Sequence, residues 1–170
     1  MVLNSKFSYN EADIPLNERP EIDRWILSEL NTLIKRVEKF YDDYEPTKAA
    51  REIQDFVTEN LSNWYVRLCR RRFWKGEYQQ DKISAYQTLF TCLERISILA
   101  APIAPFYMDQ LYRDLTGNTK KSSFESVHLA AFPKSDEASI DSNLERKMQK
   151  AQKISSLVLS LRKKEMIKVR

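Results

Sequence analysis

Arginine and aromatic side chains are concentrated in one short segment of the chain, Asn63–Trp74, whose sequence is NWYVRLCRRRFW. Residues 61–76 carry five basic and no acidic side chains. If the segment is helical, Arg67, Arg70 and Trp74 lie on one face, because they stand three and seven residues apart. A guanidinium group binds phosphate with two parallel hydrogen bonds, and an indole ring can stack on an unpaired base. The spacing therefore indicates a surface suited to a nucleic-acid strand.

Neighbouring residues of the same segment have two interpretations each. Arg71 and Arg72 fall nearer the apolar side of the helix, so they would bind either phosphate or the carboxylates of neighbouring helices. Trp74 fits a core residue better than a stacking platform, because most tryptophans are largely buried. With Lys75, these residues complete the first group of candidates for nucleic-acid binding.

A second basic segment covers residues 143–170, which carry nine basic and two acidic side chains. On a helix, Arg146, Lys150 and Lys153 lie roughly opposite an apolar side that includes Leu144 and Met148. We expect the apolar side to dock on the preceding helices or on a further C-terminal domain. The basic side is then left for a polyanion, or is simply solvated. Because the rest of the chain is net acidic, the concentrated charge points to a polyanionic partner.

The composition argues against several kinds of active site. Two glycines in 170 residues, where average usage gives about 12, argue against a glycine-rich loop that binds nucleotide phosphates. One histidine and two cysteines cannot form the usual zinc site, so we expect no metal. His128 has no evident acid–base partner, and we predict no catalytic residue and no cofactor in the chain. No apolar run is long enough to span a membrane, and separate cysteines fit a reducing, cytoplasmic compartment.

Apolar periodicity and helix-terminal residues predict the elements that carry these side chains. An irregular lead-in, residues 1–19, precedes Pro20, which begins a helix with Glu21 and Asp23 in its first turn, where carboxylates suit the helix dipole. Four helices are predicted over residues 20–45, 46–74, 81–100 and 105–116. The buried stripe of the second is predicted to comprise Ile53, Val57, Leu61, Trp64 and Leu68.

A mostly extended crossing segment is expected over residues 118–140. A basic helix then follows over residues 141–170, where Ser142 and Glu145 have the spacing of a capping box. Together the elements predict an all-α protein. Its architecture is an antiparallel bundle of four main helices over residues 20–140, followed by the trailing basic helix.

Several strings resemble the anticodon-binding helical domain of isoleucyl-tRNA synthetases, which are class I aminoacyl-tRNA synthetases. The most specific is Asn63–Trp74 itself, and the resemblance extends over residues 11–170. Synthetases for valine, leucine and methionine share the bundle, but the tryptophan- and arginine-rich string is typical of the isoleucine enzymes. Further similar strings are PLNERP at 15–20, DRWILS at 23–28, AYQTL at 85–89, LAAPIAPF at 99–106, SVHL at 126–129, FP at 132–133 and SLRKK at 160–164.

The resemblance implies tRNA binding by a non-catalytic fragment. In this family the ATP site carries a His-Ile-Gly-His type motif and a Lys-Met-Ser-Lys-Ser type motif, and neither occurs in the sequence. The parent would be an isoleucine–tRNA ligase that uses ATP with magnesium in a separate catalytic domain. Its implied partners are tRNA(Ile) and the absent catalytic, editing and C-terminal domains, with no role for a membrane or for DNA.

The expected tRNA-binding residues are Arg67, Arg70, Arg71, Arg72, Trp74, Lys75, Arg146, Lys150 and Lys153. An alternative of another class is a helical protein-interaction or scaffold domain, whose basic faces bind acidic partners. The two functions differ in RNA preference and in salt dependence, because phosphate contacts release counterions.

Overall fold

The computed structural model of the chain describes residues 12–74, 79–117 and 124–167. Its α-helices are α1 (Glu21–Asp42), α2 (Pro46–Asp55), α3 (Arg70–Trp74), α4 (Gln80–Ala100), α5 (Pro105–Gly117) and α6 (Ser142–Lys164). A π-helical segment, Phe56–Val66, follows α2 directly. The described residues contain no β-strand, so the prediction of an all-α protein is confirmed. None of the described helices has the length and apolar character that a membrane span requires.

The chain divides into two compact units, Met1–Ile140 and Asp141–Arg170. In the first unit, hydrogen bonds show how the helices run. Ser84 near the start of α4 contacts Asp23 near the start of α1, and the Tyr41 hydroxyl near the end of α1 donates to the Leu99 carbonyl. The helices α1 and α4 are therefore parallel. The helical column from α2 to α3 lies between them in sequence and runs the opposite way, because Arg72 at its end also contacts Asp23.

The helix α4 is buried around most of its circumference, and its buried polar side chains hold the lead-in against the bundle. The Gln87 amide accepts a hydrogen bond from the Ile14 backbone N–H at 3.0 Å and donates one to the Ala12 carbonyl at 3.0 Å. Thr88 accepts one from the Arg19 guanidinium at 2.8 Å. These contacts satisfy polar groups that would otherwise be costly to bury, and they fix residues 12–19 beside α4.

The second helical column departs from the prediction after Asp55. A π-helix has i→i+5 hydrogen bonds and a wider turn than an α-helix, so the apolar face advances differently along Phe56–Val66. Phe56, Leu61 and Tyr65 are buried there, and Tyr65 is fully buried. The predicted burial of Ile53 and Leu61 is confirmed.

The prediction of burial is wrong at the other positions of the same stripe. Val57 and Trp64 are only half-buried, and Leu68 is 56% exposed. Cys69, one residue further on, is buried in place of Leu68. The wider turns of the π-helical segment account for this one-residue change in the buried register.

Two residues of the bundle hold the described part of the crossing segment, residues 124–140. The Asp109 carboxylate on α5 accepts hydrogen bonds from the Ser126 hydroxyl at 2.6 Å and from the Val127 backbone N–H at 3.0 Å. Further along, the Asn31 backbone carbonyl on α1 accepts a hydrogen bond from the Ser135 hydroxyl, and the Asn31 side-chain oxygen accepts one from the Asp136 backbone N–H. The segment is irregular, with short 3-10 turns at Val127–Leu129 and Glu137–Ser139. Residues 118–123 of the predicted segment lie outside the described residues.

The second unit consists of α6 and the residues around it. The N-cap of α6 is Asp141, whose carboxylate accepts hydrogen bonds from the backbone N–H groups of Asn143 and Leu144. Ser142 therefore stands inside the helix and is not the cap that the sequence predicts. Leu144 is buried, whereas Ile154, Val158 and Leu161 further along α6 are exposed.

Candidate nucleic-acid interface

The arginine-rich segment lies at the end of the bundle where α1 and α4 begin. The helical column continues through Leu68, makes a turn at Cys69 and resumes as α3. The Cys69 N–H donates to the Tyr65 carbonyl at 2.9 Å, and the Cys69 carbonyl accepts from the Arg72 N–H at 2.9 Å. The turn therefore keeps its backbone hydrogen bonds, and it directs some side chains of α3 inward and others outward.

The outward side chains form what we call the arginine–tryptophan surface: Arg67, Leu68, Arg70, Arg71 and Trp74. They line a single concavity of about 490 Å³. Arg67, Arg70 and Arg71 are exposed, and none has a hydrogen-bond or ion-pair partner among the described residues. The structure thus brings together the predicted face of Arg67, Arg70 and Trp74, and adds Arg71 and the exposed Leu68.

The prediction that Trp74 belongs to the core is wrong, because its side chain is 72% exposed. Phe73 makes the inward aromatic contacts of α3 instead. Its ring centroid lies 5.6 Å from that of Tyr86 and 6.3 Å from that of Tyr65. An exposed indole at the edge of a cationic concavity is the geometry that base stacking requires.

Arg72 points the other way and forms an ion pair with the buried carboxylate of Asp23. The guanidinium Nη1 and Nη2 atoms lie 2.6 Å and 2.8 Å from the two carboxylate oxygens. The Tyr65 hydroxyl donates to the same carboxylate at 2.9 Å, and the Ser84 hydroxyl donates to it at 2.6 Å. Arg72 Nε also donates to Asp81 at 3.0 Å.

For Arg72, therefore, the structure shows the ion pair rather than a free guanidinium, and Arg71 is the exposed member of the two. From its position in the chain, Asp23 is predicted only to favour the helix dipole. Its pairing with Arg72 is not predictable from local spacing, because the two residues are 49 positions apart. The one available signal is an arginine predicted near the apolar side of its helix, since a charged group buried there requires a partner.

The electrostatics of this network keep Arg72 and Tyr65 in their ordinary charge states. Burial acts to lower the pKa of Arg72, but the hydrogen bonds and charge of Asp23 outweigh it and raise that pKa overall. Burial, followed by the charge of Asp23, raises the pKa of Tyr65. The Tyr65 hydroxyl therefore remains a hydrogen-bond donor, and the Arg72 guanidinium remains a cation. The network holds α3 against α1 and α4.

The remaining predicted site residues lie elsewhere. Lys75 is outside the described residues. Arg146, Lys150 and Lys153 are exposed on α6 in the second unit, where the Arg146 guanidinium donates a hydrogen bond to Asn143. Among the described residues, no group of three or more His, Cys, Asp or Glu side chains is arranged to hold a metal ion.

Comparison with known protein families identifies the family to which the chain belongs. Residues 23–170 match the family described as the anticodon-binding domain of tRNA ligase. The chain therefore belongs to the anticodon-binding domain family of tRNA ligases, and the membership predicted from its sequence strings is confirmed.

Individual relatives narrow the similarity to the isoleucine enzymes. The chain is 63% identical over 164 residues, or 96% of its length, to the isoleucine–tRNA ligases of Bacteroides thetaiotaomicron and Cytophaga hutchinsonii. It is 52% identical over 153 residues to the isoleucine–tRNA ligase of Dehalococcoides mccartyi. The chain spans only 14% of the length of the first of these relatives and 15% of the other two.

Proposed function

We propose that the chain binds tRNA through the arginine–tryptophan surface. The observation that carries this proposal is the convergence of three exposed guanidinium groups and an exposed indole on one concavity of about 490 Å³. The chain belongs to an anticodon-binding family, so an RNA strand is the partner that accounts for both the charge and the aromatic ring.

The chemistry of an RNA loop matches this surface. Proteins read RNA mostly in single-stranded loops, where unstacked bases are accessible to aromatic side chains and phosphates to arginines. In the proposed complex, Arg67, Arg70 and Arg71 bind backbone phosphates, while Trp74 stacks on one unpaired base. Leu68 supplies an apolar patch between the cations, against which a base or ribose can pack.

We infer further that the longer protein is an isoleucine–tRNA ligase of the cytoplasm, which attaches isoleucine to tRNA(Ile) with ATP. The identity of 63% to such ligases supports this. The sequence lacks both ATP-site motifs of the family, so ATP and magnesium belong to a part of the protein outside this chain. The contribution of these 170 residues is then tRNA binding, without catalysis.

A binding titration with labelled tRNA(Ile) tests the proposal. The variant Arg67→Gln/Arg70→Gln/Arg71→Gln should bind at least about tenfold more weakly. Its log–log salt slope should be smaller by up to about 0.9 for each phosphate that the variant no longer binds. Trp74→Ala should weaken binding by about five- to 150-fold, since stacking contributes about 1–3 kcal/mol per base, while leaving the salt slope nearly unchanged.

The matched control is Arg36→Gln/Lys39→Gln/Arg51→Gln, which removes the same charge from exposed positions of α1 and α2. It should retain most of the affinity. Circular dichroism should show that every variant keeps its helicity. Equal weakening in the control, or unchanged affinity and slope in the arginine variant, would exclude this surface. Equal affinity of the chain for polyglutamate and for tRNA would support the protein-interaction alternative instead.

A further inference from the structure

A second concavity of the first unit, of about 260 Å³, shares no residue with the arginine–tryptophan surface. Basic side chains from three separate parts of the chain line it. Arg19 comes from the lead-in, Arg95 from α4 and Lys134 from the crossing segment. Asp136 is the one acidic residue among the described residues of this lining. We call this site the cationic concavity.

Arg19 is held in place by hydrogen bonds, and both arginines retain N–H donors without a partner among the described residues. Arg19 Nε donates to the Ile14 carbonyl at 2.9 Å and Nη1 donates to Thr88 at 2.8 Å. Among the described residues, its Nη2 has no partner. The nearest carboxylate to Arg95 is that of Glu94, whose Oε2 lies 3.9 Å from Nε, too far for a hydrogen bond. Lys134 has no ion pair with any described residue.

Asp136 has no ion pair with these cations, and its carboxylate oxygens cap the adjacent 3-10 turn. One carboxylate oxygen accepts a hydrogen bond from the Ala138 backbone N–H at 3.1 Å. The other accepts one from the Ser139 hydroxyl. Among the described lining residues, three positive charges stand against one negative charge, so the lining keeps an excess of positive charge.

Like charges that face one concavity repel each other, and a bound anion removes that repulsion. A carboxylate has two oxygens in one plane and is matched by a single guanidinium. Donors that converge from three elements instead suit a tetrahedral anion with several oxygens. We propose that the cationic concavity binds a phosphate group through Arg19, Arg95 and Lys134.

Two ligands carry a phosphate group of this kind: the backbone of RNA and free inorganic phosphate. The volume of about 260 Å³ is several times the roughly 30 Å³ that one water occupies in the liquid, so it accommodates a phosphate with an adjoining sugar. The RNA source rests on the proposed function and would make this a second point of attachment for the same strand. The site itself does not depend on that source.

The first experiment uses inorganic phosphate and the whole chain. Two-dimensional NMR of the arginine Nε–Hε groups, assigned with Arg95→Gln and Arg19→Lys, follows a phosphate titration at constant ionic strength set with chloride. We expect saturable shifts of Arg19 and Arg95 in the millimolar range, with Arg51 on α2 unmoved. If Arg19 or Arg95 shows no saturable shift, the proposal is overturned.

The second experiment separates the two sources. Arg95→Gln/Lys134→Gln leaves Arg19 in place, because Arg19 also holds the lead-in through Ile14 and Thr88. If RNA supplies the phosphate, this variant should bind tRNA(Ile) at least about fivefold more weakly, with a salt slope smaller by about 0.9 or less per phosphate no longer bound. The control Lys39→Gln/Arg51→Gln should change neither quantity.

The outcomes distinguish this site from the proposed function. Phosphate shifts without an effect on tRNA binding support the site and assign it to free phosphate. Weak tRNA binding by the arginine–tryptophan variants, with neither phosphate shifts nor an effect of Arg95→Gln/Lys134→Gln, overturns the site and leaves the proposed function standing. A wild-type chain that binds no tRNA overturns the proposed function, while the phosphate titration still decides the site.

Discussion

Asp23 accepts hydrogen bonds from three side chains, those of Arg72, Tyr65 and Ser84, while lying fully inside the protein. A buried carboxylate that loses its cation is left uncompensated, which typically costs about 3–5 kcal/mol. We therefore expect Arg72→Gln to lower the free energy of unfolding by about that amount in urea titrations. The matched control is Arg71→Gln, an exposed neighbour that should change it by at most about 0.5 kcal/mol. Equal effects of the two variants would mean that the ion pair contributes nothing to stability.

Tyr65 and Trp64 are adjacent in sequence but contribute differently to the core. Tyr65 is fully buried, whereas Trp64 is half-buried. Removing a large buried aromatic side chain costs about 3–5 kcal/mol, and we expect that cost for Tyr65→Ala. Trp64→Ala should cost less, because part of the ring already contacts water. A urea titration in which Trp64→Ala is the more damaging change would show that the buried face has been assigned incorrectly.

At the scale of the elements, the sequence predicts the positions of the helices well. It predicts incorrectly which residues of the column after Asp55 face the core. Pro20 and Pro46 mark helix starts because proline is tolerated at or just before the first turn, and the structure begins α1 and α2 next to them. The π-helical segment has no such marker. Its apolar residues fit α-helical steps of three and four, so sequence alone places Trp64 and Leu68 in the core.

The candidate site is predictable to a similar extent. Arg67 and Arg70 are expected on one face with Trp74, because spacing along a continuous helix determines which residues share a face. The roles of Arg72 and Phe73 require knowledge of what packs against α3. Arg72 meets a carboxylate on another helix and Phe73 meets Tyr86. Such tertiary partners leave no trace in local periodicity.

Deleting one residue from the π-helical segment tests whether its extra width is needed. Ser62 is exposed, so its deletion removes few packing interactions. If the segment keeps its wide π-helical turns, residues on one side of the deletion rotate to another face of the column. Either Phe56 or Tyr65 would leave the core, and we expect the free energy of unfolding to fall by about 3 kcal/mol or more.

Ser62→Ala is the matched control and should alter the stability measured in urea by at most about 0.5 kcal/mol. A deletion variant as stable as the wild type would mean that the segment relaxes to an α-helix and so absorbs the missing residue. The same variant should bind tRNA(Ile) more weakly, because the turn at Cys69 and the residues of α3 follow directly from this segment.

Across the whole molecule, net positive charge is concentrated in two segments, and the remainder of the chain is net acidic. Residues 61–76 carry five basic side chains and residues 143–170 carry nine, against none and two acidic ones. Such an uneven distribution concentrates the attraction for a polyanion where it is useful and limits non-specific binding elsewhere. The two segments belong to different compact units, so their contributions to RNA binding can be measured separately.

The variant Arg146→Gln/Lys150→Gln/Lys153→Gln measures the contribution of the second unit. These side chains are exposed on α6, so their replacement should leave the helical content unchanged. If they contact phosphate, tRNA(Ile) affinity should fall and the log–log salt slope should shrink by about 0.9 or less for each phosphate involved. Lys147→Gln removes a charge from another side of the same helix and should have a smaller effect.

Combining the two basic segments in one variant tests whether both bind the same RNA. Effects at sites that bind independently add. A chain in which the α6 changes accompany Arg67→Gln, Arg70→Gln and Arg71→Gln should therefore show the sum of both slope changes if each segment binds its own phosphates. A titration of tRNA(Ile) at several salt concentrations measures this sum. An unchanged slope in the α6 variant alone would mean that its basic face is only solvated, and that the first unit by itself binds the RNA.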